Sequence, residues 1–431
     1  MFVFSLIFFY LICIYSIMGG GLIQLVAYGA QDIHLTGNPQ ITFFKVVYRR
    51  HTNFSMESIE QVWDGISTSP GKCISTISRN GDLITKMYLE VDCLPFSKQV
   101  NSTSNAITSV ELEIGGQTID TQSGLWMEVW SELTQPNPSS KVKFQTNPTD
   151  GNGTLFQNMS GMGGVTNGTD ETMNLKYFVP LQFWFCRNTG LALPLIALQY
   201  HEVKVILDHK FGLKSEGSPF TSVSNNTLWC EFIYLDTDER RRYAEVSHEY
   251  LIEQIQEQNL NTSTAGSSST TSLKFNHPVK ELIWTNDTNW GTLAPASGST
   301  QTGNLKRLAT LSGTTKLNYL LRLNGHERFE RRDVRYFTRV QVWQHHSGVC
   351  GLDCASVTTP NEGRLNDSIG VYSFALNPED HQPSGSCNFS RIDEVEFIAE
   401  GTAASDANKI FAVNYNILRI MSGMAGLAYA N

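Results

Sequence analysis

His345 and His346, followed by Cys350 and Cys354, place four nitrogen and sulfur donors within ten residues, the donor types of a tetrahedral zinc site. Their spacing argues against that chemistry. Adjacent histidines on a strand point to opposite faces, and the cysteines lack the two-residue separation of a zinc knuckle. A surface loop or a local disulfide accounts for them better. Asp236-Thr237-Asp238-Glu239 resembles a loose calcium loop but lacks the glycine and the distal glutamate such a loop needs. With Arg240, Arg241 and Arg242 alongside, it reads as a salt-bridged junction between modules or subunits. Glu111 and Glu113 share one face of a strand, where paired carboxylates can hydrolyse a glycoside. Exposed charges on the outer face of a sheet explain them more simply.

The chain has no Gly-x-Ser-x-Gly elbow, phosphate loop or dinucleotide fingerprint. No catalytic residue, cofactor or metal ligand is therefore assigned, and no enzyme activity is expected. Ten Asn-x-Ser/Thr sequons occur. Asn152, Asn158, Asn167, Asn261 and Asn286 lie in long polar loops and are the glycosylation candidates. Eight cysteines are spread thinly, most of them in apolar strand-like runs, as expected of reduced, buried thiols.

The elements that must position these residues read as β-structure. Short apolar or alternating runs at Ile41 to Tyr48, Cys73 to Ser78, Leu83 to Val91, Ala106 to Ile114 and Leu125 to Trp130 are separated by turn signals such as Asn80-Gly81 and Gly115-Gly116. That rhythm is the signature of a sandwich or barrel. Asp236 to Gln258 reads as one helix, with Val246, Tyr250, Leu251 and Ile255 on one face and Ser247 as a cap. Thr262 to Ser272 is Ser/Thr-rich and reads as a loop.

At 431 residues the chain exceeds what one core usually organises, so two domains are expected. Apolar residues make up 41% and charged residues 17%, below the usual share of about 25%. The net charge is −9, and the basic stretches at Arg240–Arg242 and Arg328–Arg335 are interleaved with acids. Nucleic acid is not expected as a direct partner. Met1 to Ile17 form an uncharged apolar leader at the short limit of a membrane span, with no preceding Lys or Arg. Translation from Met18 is the simpler account of it.

Three segments recur in order. Val110-Glu111-Leu112-Glu113-Ile114-Gly115-Gly116-Gln117 is echoed by Tyr319-Leu320-Leu321-Arg322-Leu323-Asn324-Gly325-His326. Tyr200 to Ile206 is echoed by Ile392 to Ile398, and Leu228 to Tyr234 by Val413 to Leu418. Duplication doubles a surface, whereas a catalyst needs one pocket, so a scaffold is favoured.

Several blocks carry a more specific likeness. Gly19-Gly20-Gly21-Leu22-Ile23-Gln24-Leu25-Val26-Ala27-Tyr28-Gly29-Ala30-Gln31-Asp32, Leu35 to Lys45, Pro180 to Asn188, Leu235 to Arg242, His381 to Arg391 and Asn414 to Gly423 closely resemble major capsid proteins of nucleocytoplasmic large DNA viruses. The resemblance implies an all-β fold of two tandem eight-stranded antiparallel jelly rolls with a short connecting helix. Its implied layout is a leader over 1–17, an arm over 18–39, a first jelly roll over 40–240, a connector helix and loop over 241–272, and a second jelly roll over 273–431. It further implies a homotrimeric, pseudo-hexagonal capsomer in the outer shell of a virion assembled in the host cytoplasm. The implied partners are the chain itself, neighbouring capsomers, minor capsid proteins and the inner membrane side of the shell. The alternative is a secreted carbohydrate-binding or glycan-hydrolysing tandem sandwich, which requires an aromatic-lined pocket with converging polar groups.

Overall fold

The computed structural model describes residues 24–25, 27, 29–95, 100–137, 153–165, 175–211, 220–261, 268–288, 290, 305–308, 317–352, 365–401 and 407–429. The chain divides into two units, Met1–Thr52 and Asn53–Asn431. The first holds a helical turn, Ile33–Thr36. The strand expected over Ile41 to Tyr48 is absent, and all eight residues are exposed. Aromatic and β-branched residues favour a strand only where a neighbour supplies cover and hydrogen bonds. The leader over 1–17 lies outside the described residues.

The second unit is two sandwiches. The first contains β1 (Phe54–Gln61), β2 (Gly71–Thr76), β3 (Leu83–Pro95), β4 (Ile107–Ile114), β5 (Gln117–Ser123), β6 (Leu175–Pro180), β7 (Leu193–Pro194), β8 (Val203–His209) and β9 (Phe220–Leu235). The second contains β10 (His248–Asn259), β11 (Ser268–Ser272), β12 (Pro278–Thr285), β13 (Leu317–Leu323), β14 (His326–Asp333), β15 (Ile369–Ser373), β16 (Cys387–Asn388), β17 (Val395–Gly401), β18 (Lys409–Met421) and β19 (Met424–Leu427).

The first sandwich pairs its strands as β1-β9-β3-β6 facing β2-β8-β4-β5. The second runs β10-β18-β12-β15 facing β11-β17-β13-β14. Each of these eight strands has its counterpart nine places later. All three repeats read from the sequence fall on such equivalent pairs: β4 with β13, β8 with β17, and β9 with β18. The two matched hairpins even share their turn. Gly115 and Gly116 have φ of 60° and 83°, and Asn324 and Gly325 have 49° and 78°. Positive φ at both central residues matches the twist of the flanking strands, which is why Gly and Asn stand there.

Each sandwich encloses its own core. Leu89, Val91, Leu112, Leu207 and Phe232 fill the first. Leu282, Trp284, Tyr319, Leu321 and Phe397 fill the second, with the Trp284 ring 5.3 Å from Tyr319 and 5.0 Å from Phe397.

Three local readings are corrected. Leu125 to Trp130 is not a strand but part of a helix, Gly124–Thr134. Its apolar residues 125, 126, 129, 130 and 133 follow the helical period, and the Trp126 amide donates to the Ser123 hydroxyl cap at 3.2 Å. The helix read over 236–258 covers only Thr237–Glu245, and His248–Asn259 is a strand bonded along its whole length to β18. Long-range pairing overrides a periodicity that four apolar residues can satisfy by chance. Ser268–Ser272 is likewise a strand, paired with β17, not a loop. The second sandwich therefore begins upstream of Leu273, and the connector shrinks to the short helix.

Candidate assembly surfaces and buried charge clusters

The Gly124–Thr134 helix of the first sandwich packs against the outer face of the second. Leu125, Trp126, Val129, Trp130 and Leu133 form one apolar cluster with Ile283 of β12, Ile369 and Val371 of β15, and Phe411 and Val413 of β18. The Trp126 ring lies 5.4 Å from Trp130 and 5.3 Å from Phe411. This contact fixes the two sandwiches side by side.

The same helix carries two fully buried carboxylates. Glu128 accepts from the amides of Gly163 and Gly164, both at 2.9 Å, and from the Ser104 hydroxyl at 2.8 Å. Glu132 accepts from the Leu352 amide at 2.9 Å. Burial raises the pKa of both groups, and the Glu128 charge raises Glu132 further. The two carboxyls, in one dry site that disfavours a second charge, hold Gly163–Gly164 and Leu352 to the helix. Sequence reading missed this pair; its only signal was two glutamates one helical turn apart in an apolar stretch.

His346 is one of the four donors whose spacing argues against zinc. Its side chain is fully buried, with Nε2 3.0 Å from Glu281 and Nδ1 3.1 Å from Glu379. Both ring nitrogens must donate, so the ring is an imidazolium. Burial alone would lower its pKa, but the two carboxylates outweigh that and push it up to about 9. His345 instead contacts the Leu376 carbonyl through Nδ1 at 2.9 Å. Cys350 is a buried thiol, and Cys354 lies outside the described residues. The three described donors, His345, His346 and Cys350, thus each have a separate partner and form no metal cluster among the described residues.

A second charged group adjoins this clamp. Lys280, buried, donates to Glu253 and to the Pro378 carbonyl, both at 2.6 Å, and Arg187 donates to Glu253 at 2.9 Å. Both cations lie near the Trp130 ring, the Arg187 guanidinium 4.3 Å and the Lys280 ammonium 5.9 Å from its centroid. Arg187 belongs to the first sandwich and Glu253 to the second, so this network spans the same junction as the helix.

The remaining candidates have structural places. Asp236 caps the Thr237–Glu245 helix by accepting from the Thr237 amide at 2.8 Å, and Arg240 bridges at 3.0 Å to Asp82, which also accepts from the Leu235 amide. Acidic residues at a helix start and a bridge to the first sandwich explain the cluster without calcium. Glu111 and Glu113 lie half-buried on one face of β4, and Glu111 faces Lys72 at 3.7 Å. All six described cysteines are free: Cys73, Cys93, Cys186, Cys230, Cys350 and Cys387. Asn158 and Asn261 each donate a side-chain hydrogen bond to a carbonyl, of Thr154 and Thr270 respectively, both at 2.9 Å. Asn286 is only 3% exposed, while Asn152 and Asn167 lie outside the described residues.

A cleft of about 620 Å³ opens beside the junction, lined by Tyr88, Phe178, Phe156 and Trp130 with Arg187 and Glu379. Of the three charged groups in its lining, Lys86, Arg187 and Glu379, Arg187 is held by Glu253 and Glu379 by His346. Among the described residues Glu379 is the one carboxylate in its lining, so these residues do not supply the pair that glycoside hydrolysis uses.

Two sandwiches with one strand order, joined by a buried helix, define a double jelly roll. The quasi-atomic structure of the PBCV-1 virus capsid superposes with a TM-score of 0.74 at 33% identity, covering 90% of this chain and 100% of that one. Residues 42–236 match the family described as major capsid protein N-terminus, and residues 239–426 match that of the large eukaryotic DNA virus major capsid protein. The chain belongs to this family of major capsid proteins, structural proteins without enzymatic activity. It is 49% identical over 427 residues to the major capsid protein of Pyramimonas orientalis virus, covering 96% of this chain and all of the relative. It is 38% identical over 477 residues to that of Paramecium bursaria Chlorella virus 1, with the same coverage.

Proposed function

We propose that three copies of this chain form a pseudo-hexagonal capsomer that tiles the icosahedral shell of a large DNA virus. The observation that carries this reading is the eight-strand correspondence between the sandwiches. Three chains with two equivalent sandwiches each set six similar bodies around a threefold axis. A near-hexagonal outline packs a surface with few gaps, and cohesion comes from many modest lateral contacts acting together. Closed sandwiches limit exposed strand edges, so copies at high concentration avoid fibrillar pairing.

Residues 18–39 serve as an arm toward the inner face of the shell, where minor capsid proteins and the membrane side are its partners. Assembly takes place in the host cytoplasm. Asn261, exposed, is the most accessible of the described glycan candidates, whereas Asn286 would have to leave a buried site to be modified. Light scattering of the purified chain should give three times 48.1 kDa. A monomer at every concentration would overturn the capsomer.

A further inference from the structure

The helix that joins the sandwiches has a counterpart that buries Phe337 and Val342 in its own chain but leaves its tryptophan uncovered. In each sandwich a helical segment follows the β5 or β14 strand: Gly124–Thr134 in the first, and Tyr336–Val340 continuing into Gln341–His345 in the second. The sequences align as Glu128-Val129-Trp130 and Gln341-Val342-Trp343. Trp130 is 5% exposed because the second sandwich covers it, whereas Trp343 is 81% exposed. A tryptophan so uncovered is rare on a surface that meets only water.

The receiving surface is also duplicated. Trp126 and Trp130 cover the outer face of β10-β18-β12-β15, where Ile283 pairs with Phe411. The equivalent pair in β1-β9-β3-β6 is Tyr88 with Trp229, on the face turned away from the first core. There Tyr88 stacks on Trp229 at 6.5 Å and an interplanar angle of 8°, with Phe178 at 6.1 Å. All three rings are half-buried. The charges complement as well. This face carries Glu60 and Glu231, with Glu90 bridged to Lys176 at 2.6 Å, while Arg332 and Arg335 precede the Trp343 helix, with Arg331 bridged to Glu400 at 3.0 Å.

We infer that Trp343 of one copy docks on the Tyr88–Trp229–Phe178 face of a second copy, repeating between chains the contact that Trp130 makes within one. The contact is heterologous, helix to sheet, so it closes into a ring only if the rotation per chain permits it, as a threefold does. The inference rests on the self-association proposed above and adds the residues that perform it. Interface tryptophans at the centre of such patches contribute disproportionately to binding.

The test is the association of the full chain, followed by sedimentation over a dilution series. Trp343→Ala and Tyr88→Ala should each raise the dissociation constant about tenfold or more, and the double variant should do little further harm. Thermal unfolding of Trp343→Ala diluted to monomer should match the unsubstituted chain, because the residue touches little within it. Unchanged association in Trp343→Ala, with the unsubstituted chain still oligomeric, overturns the docking contact and leaves self-association standing. So does full additivity of the two substitutions. An unsubstituted chain that stays monomeric overturns both.

Discussion

The two sandwiches have the same strand order and the same hairpin turns, yet they treat equivalent helices in opposite ways. The first buries the Gly124–Thr134 helix against its neighbour, with ten of eleven residues buried. The second leaves Trp343, Val340 and Arg339 exposed on its helix. Duplication therefore gives each chain one satisfied junction and one open one. Chains built this way propagate contacts to further copies, where a closed pair of identical sandwiches would stop.

That contrast is sharpest at the two tryptophans. Trp130→Ala should destabilise the chain by about 3–5 kcal/mol, because it empties a packed site and removes the ring that Arg187 and Lys280 lie near. Trp343→Ala should cost less than about 0.5 kcal/mol of monomer stability. Denaturant unfolding of both variants decides this, and equal losses would erase the distinction between the junctions.

Substitution of His346 should come next in size. His346→Ala leaves Glu281 buried without its charge partner, at a cost of about 3 kcal/mol. The pH dependence has a definite sign. His346 binds its proton more tightly folded, about 9 against an ordinary 6.5, so its contribution is complete below pH 6.5 and is lost as pH rises through about 9. The unsubstituted chain should weaken across that window. His346→Ala should show a flatter profile there, measured as unfolding midpoint against pH.

The smallest effect should come from Glu132→Gln. Burial raises the Glu132 pKa, so its stabilisation holds below the ordinary 4.5 and declines as pH rises through the elevated folded value. A glutamine keeps an acceptor for the Leu352 amide without ionising. It should stabilise the chain at neutral pH by about 1 kcal/mol and be neutral in acid. A loss of stability at neutral pH would show that the ionised form is the one the junction uses.

Much of the fold was legible in the residues. The three repeated segments fall on equivalent strands because alternation and a Gly-Gly or Asn-Gly turn constrain a hairpin locally. The helix at Gly124–Thr134 was misread as a strand, since a short apolar run satisfies either period. The strand at His248–Asn259 was misread as a helix because its partner, β18, lies more than 150 residues away. The zinc-like donor set dissolved for a related reason: Glu281 and Glu379, which claim His346, are distant in sequence.

Local alternation, turn chemistry and internal repetition were written in the chain itself, and they set its sheets, its duplication and its likeness to shell-forming proteins. Which buried carboxylates meet, which histidine is clamped and which tryptophan is left uncovered were decided only by packing. Period and turn preference act over a few residues, whereas burial and charge pairing depend on what the folded chain brings from far away.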